Sequence, residues 1–205
     1  ANSPQLIEYI QNSQLPVCTT WASKYLFNSD TNYVGSLGLF GERSANYLVQ
    51  NADTIIALGT SLNICHTGYD SFGFGSSASI HHFDIDFREL IKPNYHSNHF
   101  QYLCDLVNEN TQAQIIEFLH SFRIDSEWIN TCKSKSTFKA VDEPLNQLVE
   151  EGYVNSFQLV AALNTFTNHF DVVTDMGTSF TCTNQTLSQN RSRRLITSWA
   201  HAPMG

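Results

Sequence analysis

Residues 35–63 read GSLGLFGERSANYLVQNADTIIALGTSLN, and three kinds of local text follow one another in them. Gly35, Gly38 and Gly41 punctuate a loop. Ala45, Leu48 and Val49 then recur at helical spacing, and Thr54–Gly59 is a continuous apolar run ended by glycine. A loop that opens into a helix, followed by a short strand without polar alternation, is the unit of a parallel sheet covered by helices. A glycine loop feeding a helix N-terminus is also a place where anions and cofactor phosphates sit, because N–H groups and the positive dipole end converge there.

Working outward, the same alternation continues. Ser3 before Pro4 reads as a helix start with Leu6, Ile7 and Ile10 as its apolar stripe, and the helix stops before Leu15-Pro16. PVCTTW (16–21), SIHHFDIDF (79–87) and FQYLC (100–104) read as strands, and Thr111–Phe122 as a helix with Ile115, Ile116, Leu119 and Phe122 on one face. The expected architecture is α/β: a doubly wound parallel-sheet, Rossmann-like domain over residues 1–125, with its first strand missing. Such sheets bind ligands beyond the carboxyl ends of their strands. Residues 126–152 have little periodicity and read as a linker. The pattern restarts over 153–205: Ser156 caps a helix with Phe157, Val160, Ala161 and Leu163 inward, and FDVVTD (170–175) runs as a strand into Met176-Gly177-Thr178-Ser179. A further helix-like stretch leads to Leu195–Ser198, so this part is expected to be the truncated start of a second α/β domain.

Composition narrows the function. Of 205 residues 41% are hydrophobic and 15% charged, too apolar for a disordered tail, and no run approaches the roughly 20 apolar residues of a spanning helix, so a membrane is not expected as a partner. Nineteen acidic residues against 11 Lys and Arg leave a net charge of −8 and no basic stripe, which argues against nucleic acid. Five cysteines, at 18, 65, 104, 132 and 182, lack a Cys-x-x-Cys and read as reduced thiols. No signal peptide is legible, so the expected location is cytoplasmic and the sequons at Asn184 and Asn190 carry no meaning. His82, Asp84 and Asp86 alternate onto one strand face and His96 and His99 form an HxxH, but neither set is completed by further ligands, so no metal site is expected in this chain. Asp175 reads as a turn-fixing acceptor.

GSLGLFGERSANYLVQNADTIIALGTSLN with SIHHFDIDFRELIKPN resembles the central domain of the thiamine-diphosphate enzymes of the acetolactate synthase and pyruvate oxidase type. The matching residues are Gly35, Gly38, Gly41, Ala45, Asn46, Ala52, Asp53, Gly59, Asp84, Ile85, Asp86, Lys92 and Asn94. VVTDMGTSFTCTNQTLSQNRSRRLITSWAHAPMG (172–205) resembles the start of the same enzymes' diphosphate-binding domain. The resemblance implies a parent transferase or lyase that decarboxylates a 2-keto acid such as pyruvate and passes its acyl carbon to an acceptor, with thiamine diphosphate and Mg2+, as a homodimer or homotetramer. By position it implies that Gly177, Thr178 and Ser179 approach the cofactor's diphosphate and that Met204 and Gly205 meet its aminopyrimidine, with His201 a candidate for proton transfer. The family's activating glutamate and its Gly-Asp-Gly are not spelled in these residues, so the chain by itself is expected to be inactive. In flavin-bearing relatives Gly38, Phe40, Gly41, Gly59 and Asp84 would line an FAD site. Here Ser61 stands where the resemblance expects an arginine, so FAD is expected to be absent. The competing expectation is a non-catalytic nucleotide-binding or interaction module of the same fold.

Overall fold

The computed structural model describes residues 3–27, 32–70, 72–92, 98–166, 170–190 and 193–198. The chain folds into two compact units, one of residues 1–15 with 46–131, the other of residues 16–45 with 132–205.

In the first unit, β3 (Thr54–Leu58), β4 (Ser79–Asp84) and β5 (His99–Leu103) form a parallel sheet in that order, in register from Thr54↔Ser79 and from Ile80↔His99. Side chains on a strand alternate faces, so Ile56 and Leu58, Phe83, and Tyr102 share one face. Against that face pack Leu6, Tyr9 and Ile10 of α1 (Pro4–Asn12) and Ile115, Phe118 and Leu119 of α6 (Glu109–His120). Pro4 starts α1 as expected, but the Ser3 hydroxyl does not cap it; it donates to the Leu106 carbonyl at 2.6 Å. Asn108 caps α6 by accepting from Thr111 N. β3 is an edge strand of this sheet, with Ala57 buried and Thr54, Ile55, Ile56 and Leu58 partly buried. SIHHFDIDF yields strand only as far as Asp84. Asp86 then caps the one-turn α5 (Phe87–Leu90) by accepting from Arg88 N.

In the second unit, β1 (Val17–Thr19) pairs with β2 (Tyr33–Ser36) and β6 (Val172–Val173) with β7 (Leu195–Ile196), both parallel. The glycine text at 35 therefore begins as a strand. The loop opens directly into α3 (Arg43–Asn51), which buries Ala45, Leu48 and Val49 as its periodicity foretells and runs from this unit into the first. The expected linker carries α7 (Ser126–Ser136) and two single turns of 3-10 helix. Trp128 and Cys132 stand at helical spacing, and the Asp125 carboxylate accepts from Glu127 N at the entry. Asn155, rather than Ser156, caps α8 (Ser156–Leu163), accepting from Gln158 N at 3.1 Å. Val160 of α8 packs with Cys182 and Leu187, at and just beyond α9 (Thr178–Thr186). The sheets are all parallel and flanked by helices, the Rossmann-like α/β class that the alternation implied. Among the described residues no helix is long and apolar enough to cross a membrane.

Candidate functional site

The two glycine features meet different surroundings. At the loop at 38–41 and its flanks four backbone donors are used locally: Leu37 N donates to Thr19 O, Gly41 N to Gly38 O, Glu42 N to Ser36 O, and Ser36 N to the Glu42 carboxylate. Gly41 has no room for a side chain, since a Cβ would lie 2.6 Å from the Leu37 carbonyl carbon and 2.8 Å from Gly38 N. The outer carbonyls are taken as well: Asn184 Nδ2 donates to Phe40 O and Gln185 Nε2 to Gly41 O, each at 2.9 Å. Phe40 stacks on Trp21 and meets Phe180 edge to face. Of the residues singled out for a nucleotide, Gly38, Phe40 and Gly41 thus have their carbonyls, and Gly41 its N–H, engaged within the protein.

Gly59 and Asp84 lie in the other unit, at the carboxyl ends of β3 and β4. There too the groups are engaged. Asp84 Oδ1 accepts from Asp86 N, His82 bonds to Thr60 O at 2.8 Å, and Lys92 Nζ donates to Ser61 O while pairing with Glu89. Asp86 pairs with Arg88, whose hydrogen bonds hold its carboxyl down to about 2. Among the described residues no three His, Cys, Asp or Glu side chains gather as a metal-ligand set. His96 of the HxxH lies outside the described residues.

The turn after β6 is built the other way. Asp175 Oδ1 accepts from Met176 N, and Ser179 Oγ donates to Asp175 O at 2.9 Å, so the acidic residue and the hydroxyl fix the bend. Gly177 sits at φ +95°, ψ −148°, a conformation that L side chains rarely adopt, and nothing lies within 4 Å of where its Cβ would be. α9 begins at Thr178, and the first helical bond runs from Thr181 N to Gly177 O. The N–H groups of Thr178 and Ser179 precede that bond and have no carbonyl inside the helix to donate to. Beside them, at the same strand ends, Thr197 bonds to the Met176 sulfur at 3.7 Å. A helix N-terminus with small residues, at the carboxyl end of a parallel strand, suits an anionic group such as a diphosphate. Gly177, Thr178 and Ser179 are therefore contiguous at one accessible turn. His201, Met204 and Gly205 lie outside the described residues.

Several side chains that sequence reading passed over organise this region. Arg193 is fully buried, donating to Asn164 Oδ1 and Phe166 O and lying over the Phe170 ring, while Arg194 pairs with Asp171 and joins the starts of β6 and β7. Lys24 and Glu42 form a buried ion pair at 2.9 Å. The Arg-Arg doublet was visible in the text, but nothing in it separates the buried member from the exposed one. The cysteines are free thiols, as expected. Burial, with Cys132 nearby, pushes the Cys18 thiol up to about 12, and burial pushes Cys132 up to about 11, so neither is a thiolate nucleophile at neutral pH.

Comparison with known proteins agrees with the resemblance. Residues 1–108 match the family described as "Thiamine pyrophosphate enzyme, central domain". The acetolactate synthase large subunit of Pyropia yezoensis is 38% identical over 95 residues, 45% of this chain and 16% of that protein. A probable acetolactate synthase large subunit of Methanocaldococcus jannaschii is 36% identical over 91 residues, 44% of this chain and 15% of the relative. The acetolactate synthase isozyme 1 large subunit of Escherichia coli strain K12 is 28% identical over 208 positions, which take in 100% of this chain and 35% of that subunit. The chain thus spans about a third of the length of that relative, and its matched parts cover about a sixth of the other two. With parallel sheets and flanking helices in place, the chain belongs to the thiamine pyrophosphate enzyme family, of acetolactate synthase type.

Proposed function

We propose that these residues are the central region and part of the diphosphate-binding region of an enzyme that decarboxylates a 2-keto acid such as pyruvate and joins its acyl carbon to an acceptor, as an acetolactate synthase-like transferase or lyase. The observation that carries the reading is the open glycine turn at 175–177, leading into the N-terminus of α9 at the end of a parallel strand. When bound, thiamine diphosphate supplies the nucleophilic carbon and the electron sink for the decarboxylation. What this chain would contribute is binding and orientation: the Thr178 and Ser179 N–H groups would donate to diphosphate oxygens, the α9 dipole would favour their charge, and Gly177 would keep side-chain atoms out of their approach. Met204, Gly205 and His201 are assigned to the aminopyrimidine and to proton transfer on the resemblance. No Gly-Asp-Gly is spelled in residues 1–205, so Mg2+ ligation is assigned elsewhere in the holoenzyme, and the isolated chain is inactive. The working form is a homodimer or homotetramer.

FAD is absent in this reading. The loop donors at 36, 37, 41 and 42 are used internally, the carbonyls of Phe40 and Gly41 receive Asn184 and Gln185, and Ser61 stands in the arginine position with its carbonyl on Lys92. The same internal closure weighs against a plain nucleotide-binding module. The test is to supply the full-length protein with pyruvate, thiamine diphosphate and Mg2+ and follow carbon dioxide release and acyl-transfer product. Turnover that depends on thiamine diphosphate supports the reading, and its absence with pyruvate and other 2-keto acids would sink it.

A further inference from the structure

Lys24 is out of place by ordinary rules: a lysine, 2% exposed, on the short helix α2 (Lys24–Phe27), far in sequence from the turn at 177. Its ammonium donates to Glu42 Oε1 at 2.9 Å and to the backbone carbonyl of Asn184 at 2.5 Å. Asn184 lies in the last turn of α9, where carbonyls have run out of helical N–H partners and the dipole end is negative. A buried cation therefore sits at one end of α9, while the other end is the open N-terminus at Gly177. Three more ties fix the same helix: Asn184 Nδ2 to Phe40 O, Gln185 Nε2 to Gly41 O, and the Phe180 ring against both Trp21 and Phe40 at 5.5 and 5.6 Å between centroids. Phe180 and Asn184 share one face of the helix, and these ties all run to residues 21–42, while Cys182 packs on Val160 of α8.

We infer that Lys24, Asn184 and Gln185 are positioning residues for the cofactor's diphosphate: they seat α9 on the closed glycine loop and so fix where the Thr178 and Ser179 N–H groups stand. The glycine loop, in this account, serves as the seat of a helix and is not itself a nucleotide site. The inference rests on the proposed cofactor reading.

The experiment titrates thiamine diphosphate with Mg2+ into the full-length protein by calorimetry, alongside Lys24→Met, Lys24→Arg, Gln185→Leu and Asn184→Leu, with folding of each checked by circular dichroism. Loss of one charge-assisted hydrogen bond, transmitted to the helix, should raise the cofactor Kd roughly tenfold in K24M, with a smaller rise in Q185L and N184L. K24R, which keeps cation and donors, should recover most of the affinity. At saturating cofactor, kcat should stay near the wild-type value while the half-saturating cofactor concentration rises, a split that general destabilisation would not produce. Folded Q185L, N184L and K24M with wild-type Kd would overturn the inference and leave the cofactor reading standing. If K24M fails to fold, Q185L and N184L decide. A wild-type protein that does not bind thiamine diphosphate overturns both.

Discussion

The loop at 38–41 and the turn at 175–177 use the same residue type for opposite ends. Gly41 is a glycine because the backbone of Ser36, Leu37 and Gly38 fills the space a side chain would need; Gly177 is a glycine because φ +95° demands it, with nothing near where a Cβ would be. The first closes on itself, receives two side-chain donors from α9 and presents no spare N–H at residues 36, 37, 41 or 42. The second leaves the Thr178 and Ser179 N–H groups, at exposed residues, ahead of the first helical bond. A glycine-rich motif in a sequence is thus not evidence of a ligand until the surrounding donors and acceptors are accounted for, because close packing and ligand approach both select glycine.

The contrast can be broken at its foundations. Lys24→Met leaves Glu42 buried without its partner and should cost about 3–5 kcal/mol in denaturant unfolding, the range for a disrupted buried pair. Lys24→Met with Glu42→Met should recover most of that loss, since replacing both partners by apolar groups is often near neutral. A double variant no better than the single would show that the pair matters through something other than burial of charge. Gly41→Ala drives a Cβ into the Ser36 and Leu37 backbone and should cost on the order of 3 kcal/mol, as severe overpacking does. A near-neutral result would mean that the loop is looser than described.

Acid probes the other unit, where the strand ends are filled by the protein's own groups. His66 is buried on α4 (Ile64–Thr67), and burial, with Lys92 as the second cause, lowers it to about 4. It stays neutral in the folded state, so the unfolded chain takes up the extra proton first. Its contribution is fully present above about pH 6.5 and is lost as pH falls toward about 4, roughly 3 kcal/mol over the window. His66→Gln should flatten that part of the stability profile measured by urea titration at successive pH values; an unchanged slope would remove His66 as its source. Gly177→Ala should have the smallest effect on stability, about 1–2 kcal/mol from the strained φ with no clash, yet weaken thiamine diphosphate binding measurably. Equal loss of stability in Gly41→Ala and Gly177→Ala would erase the distinction between closed and open.

What the sequence made legible follows from how far each interaction reaches. The β3 and β4 runs, the stripe of α6 and the buried face of α3 are local patterns whose period survives in the text. Strand β2 was hidden inside glycine-rich text, and α7 inside a run of Lys and Ser with a thin apolar stripe. β6 and β7 are two residues each, too short for alternation to register. The turn at 177 was found through resemblance, and its conformation supports interest in it. The seat of α9 was not legible. Lys24 finds its partners 18 and 160 residues away, and no periodicity encodes that distance.

The measurement that bears most directly on the central claim is the cofactor content of the full-length protein, purified after incubation with thiamine diphosphate, Mg2+ and FAD together and then analysed by absorbance and mass spectrometry of the released small molecules. The expected result is thiamine diphosphate at one per chain with no flavin. Retained flavin without thiamine diphosphate would mean that the loop at 38–41 is the ligand site and the turn at 177 is not.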